Sequence, residues 1–184
     1  MATEGRTMNT LIVYESLFGN TRLIAETIAQ TLRASGDEVT EASAAEAPAD
    51  VTGFDLVVIG APTHAHSLPR PSSRTEGAKW ADDPHKDLTL EPGALQSGVR
   101  EWLQDVTFSE PKPRFAAYST RADTPRIFAG DASAAIGRLL GKLDARIATH
   151  EAFLVDSGSR LLPGEQQRAR EWALTLLPVR SDRG

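Results

Sequence analysis

Apolar positions fall into two rhythms that alternate from one end of the chain to the other. Residues 10–14 (TLIVY) form a continuous apolar run, the mark of a strand buried on both faces. From residue 20 to 34 the period lengthens, and Ile24, Ile28 and Leu32 line one face of a helix that Ser35-Gly36-Asp37 stops. Residues 38–41 offer a short second strand. The Ala-rich residues 43–52 suggest a short helix, although Pro48 opposes it. "DLVVIG" is a third strand ending on Gly60, and "RFAAYST" and "RIATHEAFLV" supply the fourth and fifth. Helical spacing recurs at Leu95, Val99, Trp102, Leu103 and Val106, then at Ile136, Leu139, Leu140 and Leu143. A last helix starts near Pro163-Gly164-Glu165, turns Trp172, Ala173, Leu176 and Leu177 inward, and is closed by Pro178. Residues 67–91 lie in a long polar connection, and connections beyond about 12–15 residues are usually functional or mobile.

Five strands alternating with helices predict a parallel, doubly wound α/β sheet. Residues 9–178 are expected to form one domain between a flexible tail over residues 1–8 and a second tail over residues 179–184. Ligands of such sheets sit beyond the carboxyl ends of the strands, where strand order reverses. The segments after strands one, three and four are therefore the ones to read for chemistry.

Composition narrows the classes. The formal net charge of −5 implies no basic face for nucleic acid. With no cysteine in the chain, disulfides, thiol catalysis, iron–sulfur clusters and thiolate zinc sites are excluded. No apolar run approaches the roughly 18 residues of a membrane span. The start, MATEGRTM, lacks the charge and apolar core of a signal peptide, so a cytoplasmic protein without membrane partners is expected.

The hinge "ESLFGNT" joins the first strand to the first helix. Ser16 to Thr21 offer two hydroxyls, one carboxamide and a row of backbone amides at a helix N-terminus. Those amides lack intrahelical partners and sit at the positive end of the helix dipole, so they can hold a phosphate without a cationic side chain. Gly19 permits the tight turn. Capping of the helix by Asn20 or Thr21, with Ser16 in a local turn, would explain the same residues. Neither G-x-x-x-x-G-K-[ST] nor G-x-G-x-x-G occurs here, which argues against a nucleoside triphosphatase and against a classical dinucleotide site.

"IVYESLFGNTRLIAETI" resembles the flavodoxin signature at Ile12, Val13, Tyr14, Ser16, Gly19, Thr21, Ala25 and Ile28. The likeness extends over nearly the whole chain. It implies a three-layer α/β sandwich whose five-stranded parallel sheet runs in the order 2-1-3-4-5, with FMN as cofactor. By this resemblance Ser16, Leu17, Phe18, Gly19, Asn20 and Thr21 cradle the 5′-phosphate. Pro62, Thr63, His64, Ala65 and His66 meet the ribityl chain and one ring face. Ser119, Thr120 and Arg121 border the pyrimidine end.

Two departures stand out. Flavodoxins commonly sandwich the ring between one aromatic from each of these two loops. Here the second loop offers only His64 and His66, and the third has no aromatic before Phe128. His64-Ala65-His66 also lacks the glycine that lets a backbone carbonyl flip beside the ring, so a flip requiring positive φ would be strained. His66 is a candidate proton donor, because its unperturbed pKa of about 6.5 suits that task. The His-x-His pair has no cysteine or further ligand for a metal, and none is expected. Trp80 would close over the ring as a lid, or sit peripherally on a mobile loop. His85 and His150 receive no role.

The leading expectation is an FMN-binding electron-transfer protein serving a redox partner protein or a small electron acceptor. The alternative is an FMN-dependent NAD(P)H:quinone or nitro reductase of the same fold. A less favoured reading is an FMN-free interaction domain. A phosphoacceptor receiver domain would need an aspartate at the end of strand three, where Gly60 stands.

Overall fold

The computed structural model describes residues 7–125, 127 and 130–178. These residues form a five-stranded parallel sheet in the order β2-β1-β3-β4-β5. The strands are β1 (Asn9–Tyr14), β2 (Glu38–Ser43), β3 (Leu56–Pro62), β4 (Arg114–Ala122) and β5 (Ile147–Val155). The helices, numbered in chain order, are α1 (Asn20–Ala34), α2 (Pro71–Ala78), α3 (Val99–Asp105), α4 (Ala132–Lys142) and α5 (Glu165–Leu176). The predicted α/β class and strand order are both found.

Side-chain alternation sorts the core into two layers. In β1 and β3, Leu11, Val13, Val57 and Ile59 face α3 and α4, packing on Trp102, Leu103, Ile136 and Leu140. Their neighbours Ile12, Leu56 and Val58 face α1 and α5, meeting Ile24, Ile28, Leu32, Trp172 and Leu176. Both faces of the central strands are thus covered, which is why their sequences are apolar without a break. The edge strands β2 and β5 alternate between half-buried and exposed positions over much of their length. Each aliphatic side chain buried on the α1 stripe contributes about 1.5–3 kcal/mol.

The segments with weak local signals behave differently from expectation. Residues 43–52 do not form a helix. The Ala47 amide closes a single turn on the Ser43 carbonyl. Beyond Pro48 the chain runs extended, exchanging hydrogen bonds with Thr107 through Ala49 and Val51. Leu95 lies outside α3 and is exposed. Residues 67–91 are not loop throughout, since they contain α2 and a following 3-10 turn, Lys79–Asp82. Pro71 at the first helical position and the Ser73 hydroxyl, which accepts from the Arg70 amide at 2.9 Å, start α2. Met8, placed in the tail expected over residues 1–8, is buried, and its carbonyl accepts from the Glu38 amide at 2.9 Å; residues 1–6 lie outside the described residues. The C-terminal tail at 179–184 lies outside the described residues.

Gly60 of β3 stands opposite Tyr118 of β4 in the sheet register. A Cβ built there would stand 1.9 Å from the Tyr118 ring. Tyr118 is fully buried and packs edge-on against Phe153 and Trp172, with centroids 6.1 and 6.3 Å away. Gly60→Ala should therefore destabilise the fold by about 1–3 kcal/mol through overpacking. The urea unfolding midpoint measures this, and an unchanged midpoint would show that the strands yield at no cost.

Candidate functional site

At the carboxyl edge of the sheet the chain leaves β1 toward β2 on one side and returns through β3 on the other. The segments following β1, β3, β4 and β5 meet beside that reversal around a cavity of about 430 Å³. This volume lies within the roughly 300–1,000 Å³ usual for small-molecule sites.

The turn from β1 into α1 forms one wall. Gly19 is the residue before the helix, with φ 94°, a left-handed conformation that a β-carbon would strain. Its amide donates to Ser16 Oγ at 3.1 Å. No side chain caps the helix, so the capping explanation for Asn20 and Thr21 does not hold. Asn20 Nδ2 instead donates to the Ser159 carbonyl at 2.6 Å. The Thr21 hydroxyl pairs with that of Thr120 at 2.8 Å, both buried. One proton serves that pair, which leaves the other hydroxyl proton available to a ligand. The Tyr118 hydroxyl donates to the Thr21 carbonyl at 2.9 Å. Burial raises the Tyr118 phenol well above its ordinary value, so it stays a neutral donor. No acidic residue occupies the first turn, and Arg22 turns outward to Glu91 and Glu26. The turn is thus an uncapped helix start with positive partial charge and no side-chain cation.

Of the residues singled out in the sequence, Ser16, Leu17, Phe18, Asn20, Thr21, Pro62, Thr63, His64, Ala65, Thr120 and Arg121 line this cavity. Gly19 shapes the turn without lining it. Ser119 points away: it is fully buried and donates to Asp131 Oδ1 at 2.8 Å. The two-residue period of β4 is the cause, since Thr120 and Ser119 must lie on opposite faces. His66 is exposed and is not among the lining residues. Its backbone packs on Gly130, where a Cβ would come within 2.3 Å of the His66 carbonyl oxygen.

The second loop is a tight reversal in which the His64 and Ser67 backbones exchange hydrogen bonds of 2.8 and 2.9 Å. Its central residues, Ala65 at φ 45° and His66 at φ 69°, are both left-handed without being glycine. The strain expected of a flip is therefore present in this conformation already. His64 turns toward α2. Burial, with the nearby charge of Arg74, lowers its pKa and keeps the imidazole neutral at pH 7. Arg121 donates to the Thr124 carbonyl at 2.8 Å, while its Nε is buried with no partner among the described residues.

Further residues, the lid candidate Trp80 among them, add to the lining. Ser73, Glu76 and Gly77 of α2 and Trp80 of the 3-10 turn close one side, and Val155, Asp156, Ser157 and Ser159 another. Trp80 supplies an aromatic wall where the second loop lacks one, and it remains 48% exposed with Lys86 Nζ 4.8 Å from its ring centre. Phe128, the aromatic expected beyond the third loop, lies outside the described residues. The segment after β5 was open to the same carboxyl-end rule that pointed to the other loops.

Residues 11–73, from within β1 to the first residues of α2, match the family model described as a flavodoxin domain. Over that stretch the chain is similar to flavodoxins. Flavodoxin 2 from Bacillus cereus, solved in its oxidised form, superposes with TM-score 0.58 at 17% identity, covering 90% of this chain and 95% of that one. A flavodoxin from the domain Archaea gives TM-score 0.56 at 14% identity, covering 92% and 96%. Rubredoxin oxygen:oxidoreductase from Desulfovibrio gigas gives TM-score 0.56 at 14% identity over 91% of this chain but 34% of its own length. At these identities the solved structures establish the shared fold. Among the described residues of this flavodoxin-like chain, no helix is long and apolar enough to cross a membrane.

A buried ion cluster backs the cavity wall. Arg74 of α2 is 2% exposed; its Nε donates to Glu15 Oε1 at 2.6 Å and its Nη2 to Glu101 Oε2 at 2.5 Å. Burial works against the Glu101 carboxylate, but bonds from Arg74 and the Gly98 amide prevail and hold its pKa below the ordinary 4.5. A depressed carboxyl contributes stability that is present above its unfolded value and is lost as pH falls through the folded one. The stability gap between wild type and Glu101→Gln should thus be widest near pH 7 and narrow below about pH 4.5. Urea midpoints across that range test this, and a gap independent of pH would contradict it.

Proposed function

We propose that this chain binds FMN in the cavity and carries electrons to and from a redox partner or small acceptor. The observation that supports this best is the uncapped amide turn, with Ser16, Thr21 and Thr120 beside it, at one end of a cavity of suitable size. Such a turn suits a phosphate monoester, and the flavodoxin-domain match over residues 11–73 includes that turn. The buried, unpartnered Nε of Arg121 adds an unused donor on the cavity's other side, as expected of a residue waiting for a polar ligand edge.

In this reading Ser16, Thr21 and the amides from Leu17 to Thr21 hold the phosphate by charge-assisted bonds of about 1.5–3 kcal/mol each. Pro62, Thr63, His64 and Ala65 flank the ring, and Thr120 and Arg121 meet its polar edge. Phe18 and Trp80 supply apolar surface and exclude water. Bound FMN supplies reversible one- and two-electron redox chemistry, while the protein sets its surroundings. Neutral His64 neither repels a cation nor pairs with the phosphate. The reductase alternative rested on an open ring face and on the missing glycine; Trp80 on the cavity wall answers the first and supports the carrier reading.

FMN added to the cofactor-free protein should bind at one per chain with micromolar or tighter affinity, read from flavin fluorescence. Thr21→Val should weaken it about tenfold, the low end of one charge-assisted hydrogen bond, and should also lower the unfolding midpoint because Thr120 loses its buried partner. Unchanged affinity would refute the cradle. His66→Ala should leave affinity and visible spectrum unaltered, because His66 lies outside the cavity. Anaerobic stepwise reduction then separates a carrier, which takes up electrons singly, from a two-electron reductase, which passes directly to full reduction.

A further inference from the structure

α2 has little apolar surface with which to hold its place. Within Pro71–Ala78 the buried residue is Arg74, a charged one. Its guanidinium spans two carboxylates that belong to two other elements: Glu15, one residue before Ser16, and Glu101 in the first turn of α3. The second oxygen of Glu15 accepts the Val99 amide at 3.0 Å, and the Glu101 oxygen that meets Arg74 also accepts the Gly98 amide at 2.8 Å. A Cβ on Gly98 would fall 2.3 Å from both Arg74 Nη2 and Glu15 Oε2, so that glycine makes room for the cluster. A buried charge that loses its partner is strongly destabilising, which makes such a cluster all-or-none in its effect on the helix it anchors. Arg100 adds a separate hold upstream, donating to the Leu68 and Pro69 carbonyls at 2.9 and 3.2 Å.

Arg74, Glu15 and Glu101 are absent from the cavity lining, whereas the helix they fix contributes Ser73, Glu76 and Gly77 and leads directly to Trp80. The approach is close: a Cβ on Gly77 would stand 2.7 Å from Leu17 Cδ2, on the turn at the head of α1. We infer that Arg74 is a positioning residue. By tying α2 to Glu15 and Glu101 it sets the wall formed by Gly77 and Trp80 and thereby controls how tightly the cavity retains its ligand. The retention half of this inference rests on the FMN reading; the positioning half does not.

Hydrogen exchange of the cofactor-free protein tests the positioning. Arg74→Gln and Glu101→Gln should both speed exchange in the peptide covering residues 71–82 roughly tenfold and leave residues 20–34 unchanged. Arg33→Gln, which removes an exposed pair with Glu41, should change neither. Glu101→Gln removes one arm, so it remains informative if Arg74→Gln does not fold. With FMN, both variants should raise the dissociation constant about tenfold. Trp80→Ala should do the same, and Glu101→Gln added to Trp80→Ala should weaken binding no further. Unchanged exchange in residues 71–82 overturns the inference whether or not FMN binds. Faster exchange with wild-type FMN affinity also overturns it, since Arg74 would then serve stability alone. If the wild type takes up no FMN the cofactor reading falls, and exchange in residues 71–82 decides the positioning by itself.

Discussion

The geometry of the site depends on where α1 begins, and a hydrogen bond buried deep in the sheet determines that. The Tyr118 hydroxyl reaches the Thr21 carbonyl across the face of β3 because Gly60 has no side chain in its path. A phenol in that position cannot ionise or find water, so its one donor must be satisfied by protein. The carbonyl it selects belongs to the second residue of α1. The helix start is thereby anchored to β4 rather than left to the flexibility of the preceding turn. The Thr21–Thr120 hydroxyl pair, the amides of the turn and the loop after β4 take their relative positions from the same anchor.

An anion held there meets dipoles rather than a lysine or arginine. Amide dipoles fixed by a helix need no reorganisation when charge arrives, and they do not compete for the acidic groups nearby. Arg22, the cation nearest in sequence, is already engaged by Glu26 and Glu91. Beneath the turn, the cluster of Glu15, Glu101 and Arg74 carries two carboxylates against one guanidinium. Its excess negative charge is tolerated because backbone amides complete the coordination of both carboxylates.

How much of this was legible in the chain depended on how local each signal was. α1 was readable to both ends, because Ile24, Ile28 and Leu32 repeat at helical spacing and a Ser-Gly-Asp stop follows. The buried strands were equally plain, and with them the edge of the sheet where ligands gather. α2 was not, because its burial signal is a single arginine whose partner Glu15 lies 59 residues away, and charge complementarity over that distance leaves no periodic trace. Without α2, Trp80 had no defined place. Ser119 and Thr120 look alike as residue types, and only the parity of β4 separates the one facing α4 from the one facing α1. His66 was expected to approach the cofactor by its position in a loop; the left-handed turn carries its side chain outward instead.

The Asn20–Ser159 hydrogen bond joins residues 139 positions apart. One side of the cavity's rim, from Val155 to Ser159, therefore comes from the end of β5 and the turn after it. During synthesis the amide turn of α1 emerges well before β5 and the turn beyond it, and its enclosure waits for both. A nascent chain truncated before that turn would present the amide turn of α1 open on one side, the Asn20 carboxamide without its Ser159 partner. Assembly of a closed pocket is thus tied to the folding of β5, which keeps ligand capture from preceding the fold that encloses it.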